Sequence, residues 1–348
     1  MKPFKLTSLA DLQSLDADTI IDVRAPAEFA EDHLPGAINL PVLDDAQRAE
    51  VGTLYKRVSR FEARKIGGAL VAQNTASHLQ EALAQKDGGW QPLVYCWRGG
   101  QRSGAFATIL DQVGWRVRLL EGGYRSYRRE VVKALYDTPL PHRIMLIDGG
   151  TGTAKTALLH QLSAQGAQVV DLEGMAAHRG SLFGAVATPQ PAQKMFDSRV
   201  AAQLAAFDPD TITFVEAESS KVGQRAVPPS LWTAMHVAPR ILISAPLSAR
   251  SSFLCRAYVD LTEDADLLAG RIDKLRPYHS RERIEQWHGQ ARAGEWQALA
   301  AGLIVDHYDP RYSKTLAQSD KRTHPLELPD LDESTLARTA AHIRATFT

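Results

Sequence analysis

The residues with the clearest chemical potential form one short glycine-rich segment around a cysteine. Cys96 directly follows the apolar run 92–95 and precedes a segment that holds two glycines and two arginines. The backbone N–H groups of a tight loop and the guanidinium groups of Arg98 and Arg102 stabilise a thiolate, the reactive form of cysteine. An isolated cysteine is more often a small buried apolar residue, but these neighbours favour a reactive thiol. We therefore predict that Cys96 is catalytic and that Arg98 and Arg102 assist it.

A second chemical pattern follows the predicted strand 143–147. The segment 149–156 matches the phosphate-binding pattern G-x-x-x-x-G-K-[ST], except that Ala154 replaces its second glycine. Backbone N–H groups and a helix N-terminus bind phosphate oxygens, the lysine neutralises charge, and the threonine hydroxyl can hold Mg²⁺. The alternative is a glycine-rich turn between a strand and a helix. Alanine leaves less room for a phosphate or requires another backbone angle. We predict a phosphate site formed by Gly149, Gly152, Lys155 and Thr156.

Two acids, Glu216 and Glu218, follow the predicted strand 211–215 and lie on the same side of its pleat. In P-loop proteins, acids at this position hold the metal or position a water molecule. The alternative is a pair of strand-end acids that form ion pairs with Lys221 or Arg225. The sequence leaves both interpretations open.

Composition predicts a packed, water-soluble protein. The 348 residues are 44% hydrophobic and 23% charged, and two cysteines argue against a disulfide framework and suit a reducing cytoplasm. Neither a signal peptide nor a transmembrane run is visible, so we expect a cytoplasmic protein with no membrane partner. The formal net charge of zero neither supports nor excludes a nucleic-acid partner. The stretch 98–133 holds eight basic and three acidic residues, either as a binding face or as a solvated helix face.

Strands alternate with helices in two successive patterns, which predicts parallel sheets covered by helices. Two prolines in 137–141 indicate a linker between the patterns. We therefore predict three parts: an α/β domain over 1–137, a second α/β domain over 138–245, and a helical part over 246–348 that packs with the second domain. Among the predicted elements are helices at 74–86 and 191–207, and a tail at 320–348 that forms a polar loop and then one helix.

Several motifs of the first domain resemble a rhodanese domain. They are Asp22-Val23-Arg24, Glu28-Phe29, His33 to Asn39, the Cys96 loop and Glu121-Gly122-Gly123. The fusion of such a domain to a P-loop NTPase-like domain resembles the bacterial tRNA 2-selenouridine synthase family. Further matching motifs lie at 171–174, 178–181, 190–193, 218–223 and 307–312. The resemblance covers roughly residues 5–315.

The resemblance implies an activity. The family replaces sulfur by selenium in 2-thiouridine at the wobble position of tRNA, with selenophosphate as donor. It also attaches a geranyl group from geranyl diphosphate to that sulfur, and the S-geranyl group leaves as selenium enters. On this chain the resemblance assigns the selenium step to Cys96 and a diphosphate to the P-loop residues. It implies substrate or tRNA contacts at Glu173, His178, Arg179, Ser181, Lys221 and Tyr308.

The implied partners are the anticodon region of tRNA and a selenophosphate-producing enzyme. We expect no tightly bound cofactor, and Mg²⁺ is a prediction for the phosphate site. Cys96 either binds selenophosphate or carries selenium as a selenosulfide. The apolar segment 182–186 lines a prenyl pocket or belongs to the core. The helical segment 270–296, with bases around Tyr278 and Trp287, is a second candidate surface for tRNA.

Two other functions compete with this one. One is a rhodanese-type small-molecule sulfurtransferase fused to an ATP-dependent kinase, which predicts nucleotide hydrolysis and no affinity for tRNA. The other is a regulatory rhodanese module that binds a partner without catalysis, which the complete Cys96 loop disfavours.

Overall fold

A computed structural model describes residues 1–317 and 322–347. The chain forms two compact units. The first comprises Met1–Pro139 and Pro191–Ala206, and the second comprises Leu140–Gln190 and the chain from Phe207 onward. Residues 318–321 and 348, which belong to the predicted helical part and tail, lie outside the described residues.

The first unit is built on a five-stranded parallel sheet. Its strands are β1 (Lys2–Phe4), β2 (Thr19–Asp22), β3 (Ala37–Asn39), β4 (Pro92–Tyr95) and β5 (Arg118–Leu120). Their order in the sheet is β1-β5-β4-β2-β3, which makes β4 the central strand. All four residues of β4 are buried because helices cover both faces, as expected for a parallel sheet. The carboxyl end of β4 delivers Cys96 to the edge of the sheet where ligands of such folds bind.

Helices and helical turns of several lengths surround this sheet. They span Leu9–Leu12, Pro26–Glu31, Asp45–Arg57, Arg60–Gln80, Gln101–Val113, Tyr124–Val132, Lys133–Asp137 and Gln193–Ala205.

The predicted helix at 74–86 is wrong in its bounds, because the helix runs from Arg60 to Gln80. The Ser59 hydroxyl caps its first turn by accepting a hydrogen bond from the backbone N–H of Glu62. Its buried face includes the small residues Ala63 and Gly67, so the apolar periodicity that marks a helix is weak in the sequence.

The second unit contains another five-stranded parallel sheet. Its strands are β6 (Arg143–Gly149), β7 (Gln168–Val170), β8 (Ile212–Glu216), β11 (Arg240–Ser244) and β12 (Thr323–Glu327), in the order β12-β11-β6-β8-β7. A small antiparallel pair, β9 (Lys221–Val222) and β10 (Arg225–Ala226), lies outside it. These two sheets confirm the predicted α/β class.

The helices of the second unit include the predicted helical region after residue 246. They span Lys155–Ala164, Leu172–Ala176, Pro229–Val237, Leu247–Ala257, Val259–Thr262, Ala265–Asp273, Arg276–Tyr278, Arg281–Ala293, Trp296–Leu303, Ile304–Tyr308, Asp309–Ala317 and Glu333–Phe347. Within the described ranges, no helix combines the length and the apolar character that a membrane crossing requires.

Two further sequence-based assignments differ from this structure. The start of the tail is not only a loop, because β12 pairs in parallel with β11 along its whole length. The helix Gln193–Ala205, which the sequence places in the second domain, belongs to the first unit. Its Asp197 receives hydrogen bonds from Arg128 and Tyr136, which are also residues of that unit.

Candidate functional site

The thiol of Cys96 is held at the start of the loop between β4 and the helix Gln101–Val113. It is 3% exposed, and its sulfur accepts a hydrogen bond of 3.1 Å from the hydroxyl of Ser103. Burial acts to raise the pKa of the thiol. The Ser103 hydroxyl and the backbone N–H groups of Ser103, Arg98 and Gly100 outweigh burial, so the pKa of Cys96 lies below its ordinary value. The loop therefore favours the thiolate.

A neighbouring glycine turn holds this loop in place. The backbone N–H groups of Tyr124 and Arg125 donate to the carbonyl oxygens of Cys96 (2.8 Å) and Trp97 (3.2 Å). Gly123 has a φ of +61°, and a Cβ at this position would overlap the carbonyl oxygen of Cys96 and the amide nitrogen of Gly99. Only glycine allows this close approach, which explains the second glycine of the Glu121-Gly122-Gly123 motif.

An open cavity of about 540 Å³ lies in front of the thiol and carries strong positive charge. Its lining includes four cationic side chains, Arg48, Lys56, Arg98 and Arg102. Glu28 is the nearby counter-charge, at 2.8 Å from Arg102 and 3.6 Å from Arg48. One carboxylate cannot neutralise four cations, so the cavity suits an anion.

Both predicted arginines line this cavity, but they differ in exposure and in ion pairing. Arg98 is exposed at its edge, whereas Arg102 is 16% exposed and paired with Glu28. Sequence reasoning missed Arg48, Tyr55 and Lys56 of the helix Asp45–Arg57, which lie some 40 residues before Cys96. The signal available for this helix was its capping box, in which Asp44 and Gln47 exchange hydrogen bonds of 2.7 and 3.1 Å.

The phosphate loop of the second unit joins β6 to the helix Lys155–Ala164. Ala154 adopts a φ of +59°, a left-handed angle that alanine rarely takes, and is only 4% exposed. Its methyl group packs in the apolar core with Leu158, so the alanine is accommodated in a left-handed backbone angle that glycine adopts more readily. The ammonium of Lys155 donates to the carbonyl oxygen of Gly149 at 2.8 Å, across the mouth of the loop. Gly152 has a φ of +82° and approaches the backbone of Arg250.

Two carboxylates face this loop. The hydroxyl of Thr156 donates to Glu173 at 3.0 Å. Burial, followed by the charge of Glu173 and a hydrogen bond with it, raises the pKa of Glu218 to about 8. Gly180 fits closely against the pair, since a Cβ there would lie 2.6 Å from Glu218 Oε1 and 2.7 Å from Glu173 Oε1. Three motifs thus meet beside the phosphate loop, namely those at 171–174, 178–181 and 218–223.

Glu216 has a different position from Glu218. It is fully buried at the end of β8, and it accepts a hydrogen bond of 2.8 Å from the backbone N–H of Glu173. Burial and the charge of Asp171 raise its pKa. Glu216 therefore positions the backbone of Glu173 and does not line the cavity at the loop.

That cavity has a volume of about 780 Å³ and gathers many of the remaining predicted residues. Arg179 pairs with Asp260 at 3.0 Å and lies over the ring of Tyr258, while Ser181 hydrogen-bonds the hydroxyls of Tyr258 and Tyr308. Sequence reasoning missed Tyr258 and Arg311, which also line the cavity. Both come from the helical part, where no local pattern distinguishes a lining residue from a packing residue.

Two predicted contacts lie outside this lining. Lys221 is exposed in β9. His178 is partly buried, and its Nδ1 has no hydrogen-bond partner among the residues described. Burial lowers the pKa of His178, which favours the neutral ring.

The residues around Thr156 fit a hard divalent cation. Thr156, Glu173 and Glu218 would supply hydroxyl and carboxylate oxygens, the ligand type that Mg²⁺ prefers, and a bound diphosphate would supply more. Burial first, and the nearby charge of Glu173 second, raise the pKa of Glu218, and a bound cation would relieve the repulsion between the two carboxylates. Across residues 1–317 and 322–347, no group of three or more His, Cys, Asp or Glu side chains is arranged as a metal site on its own. The diphosphate would therefore have to complete the site.

An apolar cavity of about 80 Å³ borders the phosphate-loop cavity. The two cavities share Thr151, Ser181, Leu254, Tyr258 and Tyr308 in their linings. Phe183, from the apolar segment singled out in the sequence, also lines the smaller cavity.

Two family models match the chain, one in each predicted α/β domain. Residues 6–130 match the rhodanese-like domain, and residues 142–286 match the AAA domain of tRNA 2-selenouridine synthase. Proteins with the name tRNA 2-selenouridine synthase are similar along most of their length. The protein of Psychromonas ingrahamii is 34% identical, and the match covers 87% of this chain and 89% of that relative. The protein of Nitrosomonas europaea is 35% identical, and the match covers 84% of this chain and 78% of that relative.

Solved structures match parts of the chain. The N-terminal domain of a candidate ATP/GTP binding protein from Clostridium difficile 630 is 36% identical, with a TM-score of 0.33 over 38% of this chain and 99% of that chain. A rhodanese-related protein from Thermoplasma volcanium is 23% identical, with a TM-score of 0.24, and the match covers 37% of this chain and 93% of that chain. The family models, rather than these structures, confirm the predicted pairing of a rhodanese-like domain with a P-loop-like domain.

Proposed function

Because this chain belongs to the tRNA 2-selenouridine synthase family, a family of tRNA-modifying transferases, we propose that it replaces sulfur by selenium in the wobble 2-thiouridine of tRNA. Selenophosphate is the donor, and S-geranyl-2-thiouridine, made from geranyl diphosphate, is the intermediate. The observation that carries the proposal is the pairing, on one chain, of a cationic thiol cavity with a phosphate loop.

The first step is an alkylation at the phosphate loop. The uridine sulfur attacks the first carbon of the geranyl chain, a C–S bond forms, the C–O bond breaks, and diphosphate leaves. Lys155, the loop N–H groups and the helix N-terminus stabilise the charge on the departing diphosphate. Mg²⁺ held through Thr156 and Glu173 would add to this stabilisation.

The apolar cavity beside the loop supports a prenyl substrate. Since it shares five lining residues with the phosphate cavity, a diphosphate on the loop would point its hydrocarbon tail toward this apolar space. Its volume of about 80 Å³ is smaller than the ~150 Å³ cavity that holds one benzene molecule. A ten-carbon chain would therefore enter only if the lining side chains move apart.

The second step is a substitution in the thiol cavity. The selenium of selenophosphate attacks C2 of the alkylated uridine, and geranyl thiol leaves with a proton. Water then attacks phosphorus, the P–Se bond breaks, and phosphate leaves from 2-selenouridine. No electrons are exchanged in this scheme, whereas a selenosulfide on Cys96 would require an oxidant. We therefore favour a role in which Cys96 carries no selenium. Its thiolate, favoured by the lowered pKa, accepts the proton of the selenium nucleophile and passes it to the departing geranyl sulfur.

The cations of the thiol cavity support a phosphorus-containing donor. Arg48, Lys56, Arg98 and Arg102 surround the entrance to Cys96, and charge-assisted hydrogen bonds from arginine suit phosphate oxygens. We propose that a selenophosphate-producing enzyme supplies the donor and that the reaction takes place in the cytoplasm.

The test supplies purified protein with tRNA that contains 2-thiouridine and omits each co-substrate in turn. Nucleoside mass analysis should show S-geranyl-2-thiouridine with geranyl diphosphate alone and 2-selenouridine with both co-substrates. Intact-protein mass analysis with selenophosphate alone should show no selenium on Cys96, and an adduct would overturn the non-covalent role. Unchanged tRNA with both co-substrates would overturn the proposed function and favour a small-molecule sulfurtransferase.

A further inference from the structure

The first unit has a second charged cavity that the reaction scheme does not use. Its volume is about 560 Å³, and its lining includes five cations against one carboxylate, Asp137. The cations are Arg125, Arg128, Arg129, Lys133 and Lys194.

Three of these cations form a row along one face of the helix Tyr124–Val132 and of the helical turn Lys133–Asp137 that continues it. Arg125, Arg129 and Lys133 are four residues apart, so they follow each other at about 6 Å along the helix axis. Arg125 and Arg129 are exposed and form no ion pair with any described residue, and Lys133 is 65% exposed and 3.7 Å from Glu130. A row of cations over two helical turns suits a chain of phosphates better than a single small anion.

The other two cations are already engaged. Arg128 pairs with the buried Asp197 at 2.5 Å, and Lys194 pairs with Glu31 at 2.7 Å. These two ion pairs hold the wall of the cavity in place. The positive charge that is available to a ligand therefore comes from Arg125, Arg129 and Lys133.

The row begins beside the thiol loop. Trp97 lines both the thiol cavity and this second cavity, and its ring stacks on Tyr124 with centroids 5.2 Å apart. The first N–H groups of the helix that carries the row bind the carbonyl oxygens of Cys96 and Trp97. A ligand that extends along the row therefore reaches the thiol cavity at Trp97.

We propose that the row formed by Arg125, Arg129 and Lys133 binds the sugar–phosphate backbone of single-stranded RNA next to the nucleoside that enters the thiol cavity. Cations beside an aromatic ring are the common surface for single-stranded RNA, and a tRNA anticodon loop is such a segment. This inference rests on the proposed function. The helical segment 270–296 is a weaker candidate surface, because its Trp287 is fully buried and cannot stack on a base.

The test compares wild type, the double variant Arg125→Gln/Arg129→Gln, and the control Arg116→Gln, which removes an exposed arginine of the same unit outside both cavities. Affinity for 2-thiouridine-containing tRNA is measured at several salt concentrations. The double variant should bind about tenfold more weakly at physiological salt, and the slope of log K against log salt should fall in magnitude by about 1.4, or ~0.7 per lost phosphate contact. The control should match wild type.

Selenouridine formation by the same proteins separates the outcomes. The KM for tRNA should rise in the double variant, while the KM for selenophosphate should stay constant. Unchanged tRNA affinity and salt slope, in a wild type that converts tRNA, would overturn this inference and leave the proposed function intact. A raised KM for selenophosphate alone would assign the row to the small donor and would also overturn it. A wild type that neither binds nor converts tRNA would overturn the proposed function itself.

Discussion

At the scale of single residues, opposing effects set the state of the Cys96 thiol. Burial favours the neutral thiol, and four hydrogen-bond donors on the following loop and helix start favour the thiolate. Two of these donors belong to Ser103, through its hydroxyl and its backbone N–H. Ser103 is therefore a positioning residue that tunes Cys96.

Replacing Ser103 by alanine should raise the pKa of Cys96. A hydrogen bond to a charged group is worth about 1.5 kcal/mol, so the pH midpoint of thiol alkylation should move up by about one unit. The rate of alkylation by iodoacetamide is measured against pH in a Cys255→Ser background, which leaves Cys96 as the one thiol of the chain. Thr108→Ala, a change on the exposed side of the same helix, is the control. An unchanged midpoint in Ser103→Ala would contradict this account of the thiol.

Glu218 should make stability depend on pH. Its pKa of about 8 in the folded protein exceeds the value of about 4.5 for an ordinary carboxyl. The unfolded chain therefore loses this proton first, and the contribution of Glu218 to stability is lost as pH rises from about 4.5 to about 8. Glu218→Gln keeps a neutral side chain, so the variant should lose less thermal stability than wild type between pH 5 and 8. Thermal unfolding at both values measures this, with the exposed Glu263→Gln as control. Parallel losses in wild type and Glu218→Gln would show that the carboxyl ionises normally.

The sequence indicated the residues whose neighbours in the chain create their chemistry. Cys96 with its loop and Lys155 with Thr156 belong to this class, because each motif is contiguous. Arg48 and Lys56 reach the thiol cavity from a helix far away in the chain, so no spacing rule connects them to Cys96. The raised pKa of Glu218, to which the charge of Glu173 contributes after burial, likewise arises only when two separate motifs meet.

At the scale of elements, the turn before the helix Tyr124–Val132 supports the thiol loop from outside. Gly123 lies against the backbone of Cys96 and Gly99, and the helix start binds two carbonyl oxygens of the loop. The shape of the thiol site therefore depends on an element that contributes no side chain to the sulfur.

Gly123→Ala should destabilise the first unit and slow the alkylation of Cys96. The left-handed angle alone costs alanine about 1 kcal/mol, and the overlap with the loop should bring the total to about 3 kcal/mol. Gly36→Ala is the matched control, because Gly36 has a φ of +82° with nothing within 4 Å of an added Cβ. Denaturant unfolding of both variants measures the difference. An equal loss of unfolding free energy in Gly123→Ala and Gly36→Ala would mean that the thiol loop shifts to make room for the added methyl group.

Elements with a clear apolar pattern were predictable, and others were not. The short apolar run before the Cys96 loop predicts a strand over 92–96, and β4 spans Pro92–Tyr95. The helix Asp45–Arg57 has no buried residue, so it shows no apolar stripe for a sequence reading to detect. The strand β12 contains a proline and polar residues, as an edge strand allows, and resembles a loop in the sequence.

At the scale of the whole molecule, the two compact units are not two consecutive stretches of the chain. The helix Gln193–Ala205 lies between strands of the second sheet in the sequence but belongs to the first unit. The buried Asp197 anchors it there, with hydrogen bonds from Arg128 and Tyr136. A domain boundary drawn on the linker alone could not place this helix, since its partners are some 60 residues earlier.

Asp197→Ala should destabilise the first unit by about 3 kcal/mol, because it leaves the half-buried Arg128 without its closest counter-charge. Glu31→Ala removes the exposed pair between Lys194 and Glu31, which ties the same helix to the unit, and should cost less than about 1 kcal/mol. Unfolding midpoints of the two variants are compared. A larger loss in Glu31→Ala would contradict the anchoring role of Asp197.

The central claim is that the chain divides two chemical steps between its thiol cavity and its phosphate loop. The most direct test is nucleoside mass analysis of 2-thiouridine tRNA incubated with geranyl diphosphate, selenophosphate and either Cys96→Ala or Lys155→Ala. We predict that Cys96→Ala accumulates S-geranyl-2-thiouridine without 2-selenouridine, and that Lys155→Ala leaves 2-thiouridine largely unchanged. Selenouridine at the wild-type rate from Cys96→Ala, or the same block in both variants, would contradict this division.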